Sequence, residues 1–242
     1  MRKRLLTSAA VLALSAGAAF ASDLPTHKAP PPPPAPAPFS WTGFYVGVEG
    51  GYGWGEENDN FSTLPIGIAG DHFGVSGPIG GVEAGYDQQF NSLVLGVVAD
   101  IEASDLHGSA SHAFGGEGVF VGTLSMRSTW QGSLRARAGV AFDRLLIYAT
   151  GGLAFANDQE SAYVDPVSVI WSGSQTNTLY GWTIGAGAEY AIDNHWTASA
   201  ELRYANFGNA TYSIALQPSG PSYYYKAGFN ETLAQIGLGY KF

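Results

Sequence analysis

The last twelve residues of the chain, 231–242, have the pattern of a β-strand with one apolar face. Successive side chains of a strand point to opposite sides, so every second residue shares a face. One face carries Ala234, Ile236, Leu238, Tyr240 and Phe242. A tilted strand crosses a lipid bilayer with ~9–11 residues. Because a strand at the end of a chain exposes an unpaired edge, we expect it to pair with the first strand of a closed barrel.

Six further segments alternate in the same way, with apolar residues on one face and polar residues or glycine on the other. A seventh, 145–156, is almost wholly apolar, and we favour Leu145, Ile147, Leu153 and Phe155 as its outward residues. These strands are predicted at 41–54, 79–90, 93–103, 126–141, 145–156, 179–192 and 196–207. Short turns alternate with segments that we expect to be long loops, at 55–77, 104–125, 157–178 and 208–228. The pattern predicts an all-β fold: an eight-stranded antiparallel transmembrane up-and-down β-barrel over residues 41–242, with both chain ends on the short-turn side.

The amino terminus has the three parts of an export signal. Residues 2–4 are basic, residues 5–20 contain an apolar run, and Ala19 and Ala21 fit the small residues that precede a cleavage site. We therefore expect a signal peptide at 1–21 that is removed before Ser22. A membrane anchor is the alternative, although the apolar run is short for a span.

Residues 22–40 contain an unbroken run of proline from Pro30 to Pro34. Proline removes backbone donors and favours an extended polyproline II conformation, so this segment is expected to form no core. We interpret it as a proline-rich periplasmic spacer, with a docking ligand for a partner protein as the alternative.

Charge and composition exclude several classes of protein. Without residues 1–21 the chain has eight basic and 20 acidic residues, a net charge of −12, which argues against nucleic acid or an anionic membrane surface as partner. Cysteine is absent, so disulfides cannot hold the fold. Charged residues make up 13% of the chain, against ~25% in soluble domains, while glycine and aromatic residues are plentiful. This composition favours a barrel whose outer face contacts lipid.

The alternation alone leaves open which face is inside, because a soluble barrel or sandwich would bury the apolar face. The polar face is rich in glycine and carries both signs of charge, which suits a crowded lumen. Aromatic residues near the strand ends suit the two girdles at the membrane interfaces. We expect these girdles to include Trp41, Trp54, Trp130, Trp196, Tyr240 and Phe242. The membrane barrel is therefore the favoured assignment.

Several short motifs carry a resemblance to a known family. They are WTGFYVG at 41–47, GGVEAGY at 80–86, GSLRARAG at 132–139, YATGG at 148–152, GWTIGAG at 181–187 and IGLGYKF at 236–242. Together they resemble the small outer-membrane β-barrel family of alpha-proteobacteria, whose members are labelled porin-family or surface-antigen proteins and are similar to the membrane domain of OmpA. The resemblance implies an outer-membrane protein without catalysis. The chain departs from the family pattern at 205–206, where an acidic residue is common, and at Gln235, where a basic one is common.

The polar face predicts a network of charges inside the barrel. Its members are Glu49, Glu83, Asp87, Asp100, Glu102, Arg135, Arg137, Glu189, Glu201 and Arg203. The interior of an eight-stranded barrel is just wide enough for side chains, and an unpaired buried charge is costly, so we expect ion pairs that plug the lumen. The excess acids are expected near the rims in water or sharing protons. The alternative is an ion path that Arg135 and Arg137 hold shut.

The sequence contains none of the common catalytic or metal-binding motifs, so we expect no enzyme, no cofactor and no metal. A hydrolase or acyltransferase site of His107 with Ser109 or Ser111 is the enzymatic alternative, although a solvated loop is favoured. Convergence of His72, His107 and His112 could bind haem or a metal, but their spacing fits no closed metal site.

These observations predict a structural, surface-exposed outer-membrane barrel that contributes to envelope integrity and surface interactions. A small-solute porin and a haem- or ligand-binding receptor are the alternatives. The expected partners are outer-membrane lipid, lipopolysaccharide and the outer-membrane assembly machinery, which would recognise the C-terminal strand. The recognition signal would be Ile236, Leu238, Tyr240 and Phe242. Both ends of the mature chain are expected in the periplasm.

Overall fold

The computed structural model describes residues 39–60, 71–114, 120–166, 171–216 and 222–242. The expected signal peptide, 1–21, and all but the last two residues of the expected proline-rich segment, 22–40, lie outside the described residues. Within the described ranges, no helix has the length and apolar character needed to span a membrane.

The described residues form one antiparallel sheet that closes on itself. Its strands are β1 (Gly43–Asn60), β2 (Asp71–Phe90), β3 (Leu93–Phe114), β4 (Phe120–Phe142), β5 (Leu145–Pro166), β6 (Trp171–Ala191), β7 (Trp196–Asn206), β8 (Ala210–Leu216) and β9 (Ser222–Lys241). Each strand from β1 to β6 pairs with the next along the chain, and β9 pairs with β1 to close the ring. The edge that the terminal strand would expose is thereby removed.

Strands β7 and β8 share one position in the ring. Both pair with β6 on one side and with β9 on the other. They are separated by residues 207–209, where Gly208 has a φ of 67° that glycine adopts without steric cost. The nine strands therefore form a ring of eight positions, and the predicted eight-stranded antiparallel up-and-down barrel is confirmed.

Three short turns lie at one end of the barrel, which we call the short-turn end. Asn91 and Asp143 occupy two of them with φ of 57° and 55°, a conformation that Asn and Asp tolerate. In the third turn, the backbone N–H groups of His195 and Trp196 donate to Asp193 Oδ1 over 2.7 and 2.8 Å. These donors stabilise the ionised carboxylate and hold the pKa of Asp193 below its usual range.

The outward side chains form an apolar belt around the half of the barrel nearest the short turns. We define the belt as Val46, Val48, Val82, Leu95, Val97, Ile101, Leu134, Val140, Ile147, Leu153, Ile184, Leu202, Ile236 and Leu238, all of them exposed. Exposed aromatic residues border it on both sides. They are Phe44, Phe90, Phe142, Tyr190, Trp196 and Phe242 at the short-turn end and Tyr52, Trp54, Trp130, Tyr180 and Trp182 at the other. The predicted outward orientation of the apolar face is confirmed.

The prediction for Trp41 was wrong, because its side chain does not join the aromatic girdle. It is 2% exposed and packs with Phe39, Leu146 and Tyr148 inside the short-turn end. The rings of Phe39 and Trp41 meet edge to face at 4.9 Å, and Trp41 Nε1 donates to the Asp143 carbonyl over 3.3 Å. Trp41 precedes β1, so the alternation of that strand does not determine where its side chain points. Its side chain therefore fills the lumen at the short-turn end.

The strands extend much further than predicted. The prediction of four long loops was therefore wrong for the described parts of those segments. Strand β1 continues to Asn60, β3 to Phe114 and β5 to Pro166, well into segments that were expected to be loops. Beyond Trp54 and Trp130 the outer surface becomes polar, and we call this part of the barrel the distal half. There the apolar side chains point inward instead, as do Phe73, Val75 and Met126, so the pattern expected of a lipid-facing strand is inverted.

Candidate functional site

We call the half of the barrel that the apolar belt surrounds the membrane half. Its lumen is filled by charged side chains from the polar faces of the strands. The glycines on those faces leave the space that these side chains occupy. A Cβ on Gly96 would lie 1.9 Å from Asp87 Oδ1, and one on Gly185 would lie 2.7 Å from Glu201 Oε1. The alternation of glycine with charged residues therefore lets long side chains cross a narrow barrel.

Arg137 forms the layer nearest the short-turn end. Its Nη1 lies 3.1 Å from Asp87 Oδ2 and donates to the Tyr45 hydroxyl over 3.3 Å, while Nη2 pairs with Glu189. The guanidinium also lies over the ring of Tyr148, 4.0 Å from its centroid. Two carboxylates and two aromatic rings from four strands thus surround one buried cation, which is the setting in which a cation–π contact is strongest.

Arg135 and Arg203 form the next layer and share one carboxylate. Arg135 Nη2 lies 2.9 Å from Asp100 Oδ1, and Arg203 Nη1 lies 3.1 Å from the same oxygen. Arg135 also pairs with Glu201, and Arg203 Nη2 lies 2.7 Å from Glu102 Oε2. The side chains of both arginines are at most 3% exposed, so each charge depends on its partners rather than on water.

Uncharged side chains complete these layers and were not included in the predicted network. Gln131 Nε2 donates to Glu102 Oε2 over 3.0 Å, and Gln235 donates to the other oxygen of Glu102. Thr150 Oγ1 accepts from Arg135 over 3.2 Å. All three lie on inward faces, which is the sequence signal that could have identified them. Gln235 therefore satisfies a carboxylate at the position where a basic residue is common in the resembling family.

The structure brings eight of the ten predicted network residues into ion pairs, and it places Glu49 and Glu83 apart from those pairs among the described residues. An oxygen of Glu49 lies within 4.8 Å of carboxylate oxygens of Asp100 and Glu102. Glu49 Oε1 is buried and has no hydrogen-bond partner among the described residues.

Little free space remains between the two layers. A cavity of about 10 Å³ is lined by Tyr45, Glu83, Arg135, Arg137 and Tyr148, among others, and it has room for about one water molecule. The interior of this half is therefore largely filled by side chains between the two layers.

The lumen of the distal half is filled mainly by apolar and aromatic side chains. Its buried cluster includes Phe73, Val75, Leu124, Met126, Leu179, Phe207, Tyr212, Tyr225 and Phe229. Glu57, Asp158 and Glu160 are buried beside it, at 0%, 0% and 1% exposure. The Tyr212 hydroxyl donates to Asp158 Oδ2 over 2.6 Å, yet burial outweighs this bond and raises the pKa of Asp158 to about 6. Sequence reasoning missed these acids because their segments were expected to be loops.

Two of the three histidines of the expected loops, His72 and His107, lie on the outer wall. His72 is exposed on β2, and His107 is exposed on β3, where its Nδ1 lies 2.8 Å from the Asp105 carbonyl. His107 pairs in register with Ser76, four residues from His72 along β2, which is about 13 Å in a strand. Two histidines at that separation cannot share one ion. The side chain of His112 lies outside the described residues.

The described contacts do not support the alternative of a catalytic site made of His107 with Ser109 or Ser111. Ser109 and Ser111 are exposed on the same face of β3 as His107. The hydroxyl of Ser111 is 3.0 Å from Thr123 Oγ1 on the neighbouring strand, and the ring of His107 contacts backbone of its own strand. The described contacts therefore do not assemble a nucleophile with a base.

Comparison with known proteins agrees with this geometry. The chain matches the family model described as outer membrane protein beta-barrel domain over residues 7–242. It is 35% identical to the 31 kDa outer-membrane immunogenic protein of Brucella melitensis, over 97% of this chain and 98% of that relative. It is 29% identical to the 22 kDa outer membrane protein of Rhizobium leguminosarum bv. viciae, over 84% and 79% of the two chains.

Among solved structures, the outer membrane protease OmpT from Escherichia coli is similar with a TM-score of 0.52. The match covers 85% of this chain and 99% of OmpT, at 10% identity, so the likeness concerns the fold alone. The family resemblance inferred from the motifs and the transmembrane β-barrel fold are both confirmed.

Proposed function

Since the chain belongs to the outer membrane protein β-barrel domain family, we propose that it is a closed, non-enzymatic barrel that contributes to envelope integrity and surface interactions. The observation that carries the proposal is the filled lumen, in which Arg135, Arg137 and Arg203 cross the interior to carboxylates on other strands. A barrel cross-linked in this way resists collapse and passes no solute. Its contribution to the envelope is then mechanical, and its contacts are made by its outer wall.

The protein is an outer-membrane protein, and we propose that both ends of its mature chain lie in the periplasm after removal of residues 1–21. The short-turn end carries the start of β1 and the end of β9 together. The Phe242 N–H donates to the Phe44 carbonyl over 3.0 Å. This placement supports the proposed orientation because short turns face the periplasm in outer-membrane barrels.

The closed lumen predicts that the refolded protein conducts no ions in a planar lipid bilayer. The conductance trace is expected to stay at baseline, since the cavity between the arginine layers has a volume of about 10 Å³. In Arg137→Ala, brief openings are expected because the side chain that bridges Asp87 and Glu189 is lost. Arg127→Ala, on the outer wall, is the matched control and should remain silent. A stable open state of the unaltered protein would replace this proposal with the porin alternative.

The outer wall of the distal half supplies the surface for the proposed interactions. A recess of about 570 Å³ is lined by Asp105, His107, Ser109, Ser125, Arg127 and Gln159. Arg127 and Asp105 form an exposed ion pair within it, at 2.9 Å. Both signs of charge and several hydroxyl groups suit contact with the sugars and phosphates of lipopolysaccharide. We propose that the sugars and phosphates of lipopolysaccharide contact this wall, whereas outer-membrane lipid surrounds the apolar belt.

We propose that the assembly machinery recognises the C-terminal strand through Ile236, Leu238, Tyr240 and Phe242. The ring of Phe242 is 72% exposed, and it packs edge to face on Tyr240 with centroids 5.3 Å apart. Its backbone N–H pairs with β1, and this hydrogen bond does not involve the ring. Its side chain is therefore available to a partner without being needed for closure.

Phe242→Ala is expected to lower the amount of protein in the outer membrane severalfold while leaving unassisted refolding in detergent unchanged. Heat-dependent gel mobility measures refolding, and quantitative immunoblotting of membrane fractions measures assembly. Tyr180→Ala is the control, because that ring is 75% exposed at the opposite border of the apolar belt. Equal membrane levels of both variants would count against a C-terminal signal.

A further inference from the structure

Three carboxylates meet inside the distal half of the barrel, and the proposed function makes no use of them. Glu57 lies on β1, whereas Asp158 and Glu160 lie on β5. In the closed ring, β1 and β5 are four positions apart in either direction, so they are opposite walls. One oxygen from each side chain lies within 4.8 Å of the other two. The carboxylates therefore approach one another across the lumen.

Burial makes this arrangement costly without compensation. The three residues are 0%, 0% and 1% exposed. Ionised carboxylates repel one another at such distances, and removing each from water carries a penalty of several kcal/mol. A bound cation lowers that cost because it attracts all three carboxylates.

An unsatisfied oxygen in the same group indicates a ligand. Asp158 Oδ2 accepts the hydroxyl of Tyr212, but Asp158 Oδ1 is buried and has no hydrogen-bond partner among the described residues. Buried polar atoms are nearly always satisfied, so such an orphan calls for an explanation in terms of an ion or a water molecule. Tyr212 fixes the carboxylate through its other oxygen and leaves Oδ1 able to coordinate.

We propose that Glu57, Asp158 and Glu160 bind a divalent cation, best matched by Ca²⁺, which ties the opposite walls of the distal half together. Two oxygens bound to one Ca²⁺ at ~2.3–2.6 Å lie at most about 5 Å apart, and the observed separations fall within that limit. With Asp158 Oδ2 held by Tyr212, the three carboxylates can supply up to five oxygens, and water molecules can complete the six to eight that Ca²⁺ takes. Mg²⁺ fits less well because it requires near-ideal octahedral geometry and releases its water reluctantly.

Binding is tested with Ca²⁺ alone on the refolded full chain after treatment with a chelator. Isothermal titration calorimetry is expected to show one saturable ion per chain, and the melting temperature is expected to rise by several degrees, since a ligand of the folded state stabilises it. Mg²⁺ at the same concentration should give a smaller rise. If Ca²⁺ produces neither saturable binding nor a rise in the melting temperature, the proposal is overturned.

Substitutions of the proposed ligands test whether the ion binds at this site. Asp158→Asn keeps the size of the side chain but removes its charge, and it should weaken Ca²⁺ binding at least tenfold. Glu160→Gln tests the same site independently and takes the place of Asp158→Asn if that variant does not refold. Asp105→Asn, an exposed acid on the outer wall, is the matched control and should bind Ca²⁺ as the unaltered chain does. Unchanged affinity in both site variants would show that the ion binds elsewhere and would also overturn the proposal.

Discussion

Replacing Arg135 with alanine is expected to lower the free energy of unfolding by about 3–5 kcal/mol, because removal of one partner leaves buried charges uncompensated. Arg135 pairs with Asp100 at 2.9 Å and with Glu201, and its side chain is 1% exposed. Without it, Glu201 loses the ion-pair partner that it has among the described residues, and Asp100 keeps the ion pair with Arg203 and the hydrogen bond from Ser133. Urea unfolding in phospholipid vesicles, followed by tryptophan fluorescence, measures the loss.

Arg127 provides the matched control for this prediction. Its Nη2 lies 2.9 Å from Asp105 Oδ1, the same distance as in the Arg135 pair, but the two side chains are 58% and 49% exposed. An exposed ion pair contributes about 0–1 kcal/mol, so Arg127→Ala should change stability little. Since the two N–O distances are equal, the difference between the variants reports the burial of the Arg135 pair together with the loss of its second partner, Glu201. Similar small losses for both variants would mean that water reaches the lumen pairs and that the plug is not dry.

Arginine at Ile236 is expected to destabilise the barrel by about 2–4 kcal/mol, the cost of a basic side chain on the lipid face near the bilayer midplane. Ile236 is 72% exposed at the centre of the apolar face of β9, between Ala234 and Leu238. In water, a position with such exposure would accept arginine readily. The penalty therefore reports directly on the solvent that the outer face contacts.

Thr176→Arg is the control for Ile236→Arg. Thr176 is exposed on β6 beyond the aromatic border, opposite Gln159 on β5, so an arginine there extends into water. Its expected cost is about 0–1 kcal/mol, as near an interface. Both variants are measured by reversible unfolding from the same vesicles. If Ile236→Arg were as stable as Thr176→Arg, the apolar belt would not lie in the bilayer.

The membrane half and the distal half of the same strands differ in which side chains face outward. In the membrane half, apolar side chains such as Val82 face outward and charged ones such as Glu83 line the lumen, and the alternation together with the composition of the two faces predicted both. In the distal half, β2 keeps the same inward phase, but this phase now carries Phe73 and Val75. In β4 the inward phase changes at the irregularity between Arg127 and Gln131, so that Met126 faces inward. The apolar outer face therefore ends at the membrane border, and the continuation of the strands was predicted as loops.

The sequence predicted which charged residues face the lumen, but not which acid each arginine pairs with. The inward phase of each strand places Asp100, Arg135 and Glu201 in the lumen, which follows from the period of two. Arg135 and Glu201 are separated by 66 residues and lie on strands that do not pair. Which acid each arginine reaches depends on how far neighbouring strands are displaced along one another. Irregularities such as the register shift between Arg127 and Gln131 alter that displacement locally.

By itself, the sequence determined the fold class, the position of the strands that cross the membrane and the solvent that each face meets. These properties are local, because the direction of a side chain depends on its place within its own strand. Only the tertiary structure decided that the walls extend beyond the membrane, that Trp41 closes the short-turn end, and that Glu57 meets Asp158 and Glu160. Those contacts arise when the sheet closes into a ring, since closure brings opposite walls within the reach of single side chains.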